Sequence, residues 1–198
     1  MASHVFVITG PSGVGKGTLI RGLMERLPQL RLSVSATTRQ PRPGERHGVD
    51  YYFLTPEEFE RHVSKGDFVE HAQYAGRNYG TLHNELEASQ GQHGTPRREP
   101  AGQMLHGPVV LEIEVQGARQ VRESVPNAVQ VFIAPPSLDA LRTRLIGRGT
   151  DDPEEVERRL RVAEEELAAQ PEFGHVVVND RLEDALAQLT EIVREALN

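Results

Sequence analysis

A chain of 198 residues has room for one domain with a sizeable core. Its 22 lysines and arginines against 29 aspartates and glutamates give a net charge of −7, which excludes a general nucleic-acid binder and requires any anion site to gather its arginines locally. The lack of cysteine excludes disulfides and thiolate metal sites. No secretory-type leader or apolar run of membrane-spanning length is visible, so a cytoplasmic protein without a membrane partner is expected.

The first apolar run, Val5-Phe6-Val7-Ile8, breaks at Thr9-Gly10 into a glycine-rich turn. Leu19, Ile20, Leu23, Met24 and Leu27 then recur at helical spacing. Strand, glycine turn and helix in that order are the context of a phosphate-binding loop, here Gly10-Pro11-Ser12-Gly13-Val14-Gly15-Lys16-Gly17-Thr18. Gly10, Gly13 and Gly15 let backbone N–H groups converge on an anion at the helix N-terminus, and Lys16 adds a point charge for the transferable phosphates. The motif places a hydroxyl residue straight after the lysine to bind Mg²⁺, but Gly17 stands there and the hydroxyl follows at Thr18. Thr18 is therefore expected to hydrogen-bond a phosphate oxygen, with Mg²⁺ held by phosphates, water and carboxylates.

Beyond Pro28-Gln29, Leu30 to Thr38 reads as extended, and the prolines and glycine of Arg39-Gln40-Pro41-Arg42-Pro43-Gly44-Glu45 forbid regular structure. Arg39 and Arg42 are either a solvated turn or a preset fork for a phosphate. A short strand holds Tyr51 and Tyr52. Thr55-Pro56-Glu57-Glu58 is a capping box opening a helix to about Lys65, and Phe68 to Thr81 reads as two strands meeting at Ala75-Gly76. Residues 33 to 81 thus form a small, antiparallel-looking lobe inserted into an alternating strand–helix chain. Residues 82 to 90 are weakly helical, and Gly91 to Gly107 is polar and aperiodic, expected to be a mobile surface excursion.

Val109 to Glu114 is a buried-type strand whose Glu112 and Glu114 share a face. Such acids are either an edge solvated on one face or ligands for a metal or polar substrate, and their place at the strand's C-terminal end favours the second. A helix over Gln116 to Glu123, a strand over Val129 to Ala134 and a helix from Ser137 through Arg148 follow, the last presenting Arg142, Arg144 and Arg148. Gly149 to Pro153 is a hinge-like break. A charged helix capped by Asp152 runs to about Ala169, its many glutamates and arginines, Arg159 included, read mostly as a solvated face with i,i+4 pairs. Val176 to Val178 is a last strand, and Leu182 to Leu197 an amphipathic helix. The eight histidines form no i,i+4 helical pair, so no histidine metal site is expected.

Strands alternating with helices behind a phosphate loop imply an α/β, P-loop kinase fold with a parallel sheet flanked by helices. Two arginine groups far apart in sequence, around one phosphate loop, suggest two phosphorylated ligands and phosphoryl transfer between nucleotides.

The segments GPSGVGKGT, SVSATTRQPRPGE, GVDYYF, FVEHAQYAGRNYGT, EIEVQGARQV, FIAPPS, RLIGRGT and VVVND, in this order, resemble the guanylate kinase family over nearly the whole chain outside about 91–107. The resemblance implies a single domain with a core at 1–32 and 108–198, a GMP-binding lobe at about 33–90, a flexible insertion at about 91–107 and a lid at about 142–162. It implies transfer of the γ-phosphoryl of MgATP to GMP, giving ADP and GDP, in guanine nucleotide recycling. Mg²⁺ would be the cofactor, ATP and GMP the partners, and the protein a monomer or small homo-oligomer. Ser35, Arg39, Arg42, Tyr51 and Tyr79 would hold the GMP phosphate, Glu70 would accept from guanine N1–H and amino groups, and Thr81 would bond near O6. Glu112 and Glu114 match an acidic pair that is usually aspartate, and either the GMP base and ribose or Mg²⁺-bound water would be their contact. On the ATP side stand Gly10 to Thr18, Arg144 against the adenine and Asn179 at its edge. Lys16, Arg42 and the lid arginines Arg148 and Arg159 would be catalytic. Two rivals are a kinase for another nucleoside monophosphate and a non-catalytic protein-binding module, which typically lacks the phosphate loop seen here.

Overall fold

In the computed structural model, residues 5–74, 76–90, 107–146 and 153–198 are described. The chain runs through β1 (Val5–Thr9), α1 (Lys16–Arg26), β2 (Arg31–Leu32), β3 (Ala36–Thr37), β4 (Tyr52–Phe53), α2 (Pro56–Lys65), β5 (Phe68–Tyr74), β6 (Arg77–Leu82) and α3 (His83–Gln90). It continues through β7 (Val109–Glu112), α4 (Val115–Ser124), β8 (Val129–Ala134), α5 (Leu138–Ile146), α6 (Pro153–Ala168), β9 (His175–Val178) and α7 (Leu182–Leu197).

Every residue of β1 is buried, as a strand covered on both faces must be. It is the middle strand of a five-stranded sheet ordered β2-β7-β1-β8-β9, parallel throughout. Alternation divides its side chains between two cores. Phe6 and Ile8 join Leu19 and Leu23 of α1, Leu145 of α5, Leu160 of α6 and Leu189 of α7. Val5 and Val7 join Val115, Ala118 and Val121 of α4 on the opposite face. The expected parallel sheet between two helical layers is what forms, and the ends of β1 and β7 deliver the phosphate loop, Glu112 and Glu114 to one rim. Among the described residues no helix is long and apolar enough to cross a membrane.

The extended stretch 30–38 does not stay in one sheet. Ser33 still donates to Val110 O at 2.9 Å, but the next amide, Val34 N–H, is taken by Glu85 Oε2 at 3.0 Å. Val34 faces the open edge of β2, where this buried side chain satisfies its amide, and the chain passes on into a second sheet, ordered β4-β3-β6-β5. The same Glu85 pairs with Arg31 at 3.6 Å and accepts from the Tyr52 hydroxyl at 3.2 Å, so one acid of α3 ties β2 to the lobe. The lobe is mixed and not purely antiparallel, because the irregular 38–51 excursion returns β4 parallel to β3. Its core stacks Phe59 on Phe68 at 4.6 Å, and α2 starts on the expected capping box: Thr55 Oγ1 accepts from Glu58 N–H at 3.2 Å and Glu58 Oε2 from Thr55 N–H at 2.8 Å. The expected excursion 91–106, the Asp152 cap and Arg148 lie outside the described residues.

Candidate active site

The loop from Gly10 to Gly15 turns through three left-handed glycines, Gly10, Gly13 and Gly15. Gly15 has φ +102°, and a Cβ there would lie 2.6 Å from Asn179 Nδ2, so both conformation and space call for glycine. No side chain caps α1, which leaves its N-terminus, the positive end of the helix, presented to the cleft. The loop is braced from behind. Asn179 Nδ2 donates to Val14 O at 2.8 Å, and Arg144 donates to Val14 O at 3.3 Å and Asn179 O at 2.8 Å. Lys16 Nζ folds over the turn and donates to Gly10 O at 2.5 Å and Pro11 O at 3.2 Å.

Across a cleft of about 570 Å³ stands the lobe. Glu70 of β5 is only 3% exposed. Its Oε1 accepts from Thr81 Oγ1 at 2.7 Å, and the Thr81 main-chain N–H also donates to the carboxylate. Burial outweighs both and pushes the carboxyl to about 7. Nearer the mouth, Arg39 is held bidentately by Glu45 at 2.9 and 2.9 Å, its guanidinium 5.2 Å from the Tyr51 ring centre. Arg39 Nη1 donates to Glu45 and to Gln40 O, Nη2 donates to Glu45, and the ion pair fixes the plane of the guanidinium.

Between these ends Lys16 faces three carboxylates, Glu112, Glu114 and Glu166. Burial first, then repulsion from Glu70 and Glu166, pushes Glu114 to about 7 against the attraction of Lys16. Water reaches Glu112 on the cleft floor, yet the surrounding walls still raise its carboxyl, with Lys16 opposing. Glu166, half-buried on α6, is raised by burial while Lys16 and the Ser12 N–H that it accepts pull the other way. Glu114 Oε1 and Glu166 Oε2 are buried and bond no protein group. Ser12 is a junction: Arg159 Nη2 of the long charged helix donates to its Oγ at 2.7 Å, and Tyr74 of the lobe hydrogen-bonds its side chain.

Of the candidate residues, Gly10, Ser12, Gly13, Gly15, Lys16, Gly17, Thr18, Ser35, Tyr51, Glu70, Tyr79, Glu112 and Glu114 line this one cleft. Thr81 sits behind Glu70, and Val14, Arg144 and Asn179 behind the loop. Pro11 is buried, Arg39 flanks Tyr51, and Arg42 lies at the exposed end of the lobe loop, its N–H bonded to Glu45 at 2.7 Å. Tyr74, Glu166 and Arg21 also line the cleft and carried no motif of their own.

A protein-family model described as Guanylate kinase matches residues 2–196. The chain belongs to the guanylate kinase family. A guanylate kinase of Synechococcus sp. (strain CC9311) is 51% identical over 184 residues, covering 92% of this chain and 90% of that protein. One of Streptomyces coelicolor is 49% identical over 183 residues, covering 92% and 86%. The crystal structure of guanylate kinase from Anaplasma phagocytophilum superposes with a TM-score of 0.73 at 30% identity, covering 99% of this chain and 87% of that one. Membership of the guanylate kinase family makes the chain an enzyme, a nucleotide-binding transferase on a P-loop kinase fold.

Proposed function

We propose that this guanylate kinase family member transfers the γ-phosphoryl of MgATP to GMP, giving ADP and GDP, in guanine nucleotide recycling. The observation that carries the reading is Glu70, a nearly inaccessible carboxylate held by Thr81 at the end of a cleft whose other end is the phosphate loop. Guanine offers N1–H and its amino group to such an acceptor, whereas adenine presents a bare acceptor at N1. A site built to pair donors can reject the ligand lacking them by roughly 10⁴–10⁵-fold. Thr81 completes the reading near O6. Ser35, Arg39, Arg42, Tyr51 and Tyr79 take the GMP phosphate, and the Arg39–Glu45 pair supports this by holding the guanidinium beside Tyr51.

ATP lies along Gly10 to Thr18, its phosphates on the loop amides and Lys16, with Arg144 and Asn179 toward the adenine. Transfer is in line without a covalent intermediate, so the chain contributes positioning and charge neutralisation through Lys16, Arg42, Arg159 and Arg148. The lid at about 142–162 and the lobe close to exclude water, the competing acceptor. Mg²⁺ keeps several waters and takes a carboxylate or two beside substrate phosphates. Glu112 fits that part: its oxygens lie 3.9 and 4.0 Å from where a residue-17 side chain would begin, and Glu114 is next along the same rim. Glu112 and Glu114 would hold such an ion through its waters, and it would supply neutralisation of phosphate charge. We place the reaction in the cytoplasm, in a monomer or small homo-oligomer, with ATP and GMP and neither nucleic acid nor membrane as partners.

The test is a side-by-side assay with GMP, AMP, dTMP and UMP as acceptors for ATP. GMP should be preferred by orders of magnitude. AMP preferred over GMP would overturn the reading, and folded protein without turnover would favour the non-catalytic module.

A further inference from the structure

The outer edge of β5 is covered by α4. Gln120 grips it as a strand would, its Oε1 accepting from His71 N–H at 3.0 Å and its Nε2 donating to His71 O at 2.8 Å. Ser124, one turn on, donates to Val69 O at 3.5 Å. One turn before Gln120 on this face, in register with Glu70, stands Gly117. Its backbone is helical and free of positive φ, so alanine could adopt it, and alanine is the stronger helix former. Conformation therefore gives no reason for glycine.

Space does. A Cβ on Gly117 would lie 2.4 Å from Glu70 Oε2, 3.0 Å from its Cδ and 3.5 Å from its Cγ. The colliding atoms are the end of a flexible side chain, not backbone, so the fold can yield where the site cannot. Glu70 Oε1 is bonded to Thr81 at 2.7 Å, and moving the carboxylate breaks its aim. We propose that Gly117 is a positioning residue for base recognition: its missing side chain is the floor on which the Glu70 carboxylate rests, and it sets the depth at which the guanine edge is read.

This rests on the reading of Glu70 as the guanine acceptor, and the experiment separates the two. GMP and ATP KM, AMP-to-GMP discrimination and melting temperature are measured for native protein, Gly117→Ala, Glu70→Ala and the double variant. Relieving the overlap displaces the carboxylate by about 1 Å, a misplacement that can cost on the order of 10²-fold. Gly117→Ala should therefore raise GMP KM at least about ten-fold, keep ATP KM within about two-fold and melt no lower than Glu70→Ala. In the double variant GMP KM should stay within about two-fold of Glu70→Ala, since neighbours acting through one group are not additive. If Gly117→Ala does not fold, Glu70→Ala with and without it decides: equal or higher melting of the double variant places the collision at Glu70. An unchanged GMP KM in Gly117→Ala, multiplying penalties, or a double variant melting well below Glu70→Ala would overturn the proposal. GMP KM unaffected in Glu70→Ala would bring down the acceptor reading and this proposal with it.

Discussion

Replacing Glu70 by glutamine should stabilise the folded protein in alkali while weakening its hold on GMP. Burial moves the Glu70 carboxyl from 4.5 to about 7 on folding. Between those values the folded chain binds the proton that the unfolded chain has released, so stability falls as pH rises through the window. The full displacement is worth about 3 kcal/mol. Glutamine keeps the shape and does not titrate. Relative to native protein, Glu70→Gln should therefore gain about 3 kcal/mol between pH 4.5 and 8, or roughly 6–12 °C in melting temperature for a chain of this size. Glu114 adds to the gain in the same direction, because Glu70 is one of the charges that raise it. Urea or thermal unfolding of both proteins across that range reads the difference between two curves, in which most other groups cancel. Parallel curves would refute the argument. Over the same range the native protein should bind GMP more tightly as Glu70 ionises, and binding near pH 7 should release protons, measurable by calorimetry in buffers of different ionisation enthalpy.

Lys16→Ala should cut kcat about 10²–10³-fold while GMP binding by titration stays nearly intact, since removing one preorganised donor to a transition-state charge costs about that much; a variant keeping most of its kcat would contradict the role given to the loop. Gly15→Ala forces φ +102° on an L residue and displaces Asn179 Nδ2 from Val14 O, together about 2–3 kcal/mol or roughly 4–12 °C of melting temperature, with ATP KM rising and GMP KM unmoved. An unchanged melting curve would show the loop to be more compliant than its contacts indicate. Tyr74→Phe removes the hydrogen bond between the lobe and Ser12, worth about 1 kcal/mol, and should lower the melting temperature by roughly 2–4 °C; an unchanged melting curve would make that contact incidental.

Much of this architecture was legible because period and punctuation agreed. The run at Val5–Thr9, the capping box at Thr55–Glu58 and the strands Phe68–Tyr74 and Arg77–Leu82 each follow from a pattern whose chemistry is local, although Ala75, at the expected meeting point of those strands, lies outside the described residues. The split of residues 30–38 was not, because its partners are remote in sequence: Val109 and Val110 on one side, Tyr79 and Gly80 on the other, with Glu85 taking the amide of Val34 between them. Glu166 was lost in a charge-dense helix read as solvated. Glu164 and Glu165 are indeed exposed, but Val156, Leu160 and Ala163 fix the rotation of α6, and positions 159 and 166, seven apart, fall on the same flank of that apolar stripe. Both reach Ser12. That spacing was the signal available, and recognising it required knowing which flank faces the loop. Tyr74 carried no signal at all, since a tyrosine suits any strand.

The placement of charge in the cleft resolves an apparent contradiction: an acidic protein whose proposed ligands are polyanions lines their site with Glu70, Glu112, Glu114 and Glu166. In the proposed reading anions are received where donors converge, at the N-terminus of α1 with Lys16 and at the Arg39 fork, while the acids stand around Glu70 and along the rim near Gly17. A carboxyl raised to about 7 is about half protonated near neutral pH and ionises further when a donor or cation arrives. Before ligand arrives, the partly protonated acids spare Lys16 a full ring of counter-charges. Under the proposed function, guanine donors at Glu70 or a cation near Glu112 would draw these acids into their ionised form. Specificity and charge balance would then depend on the same desolvation: the burial that costs stability at neutral pH is what, on the proposed reading, lets Glu70 discriminate.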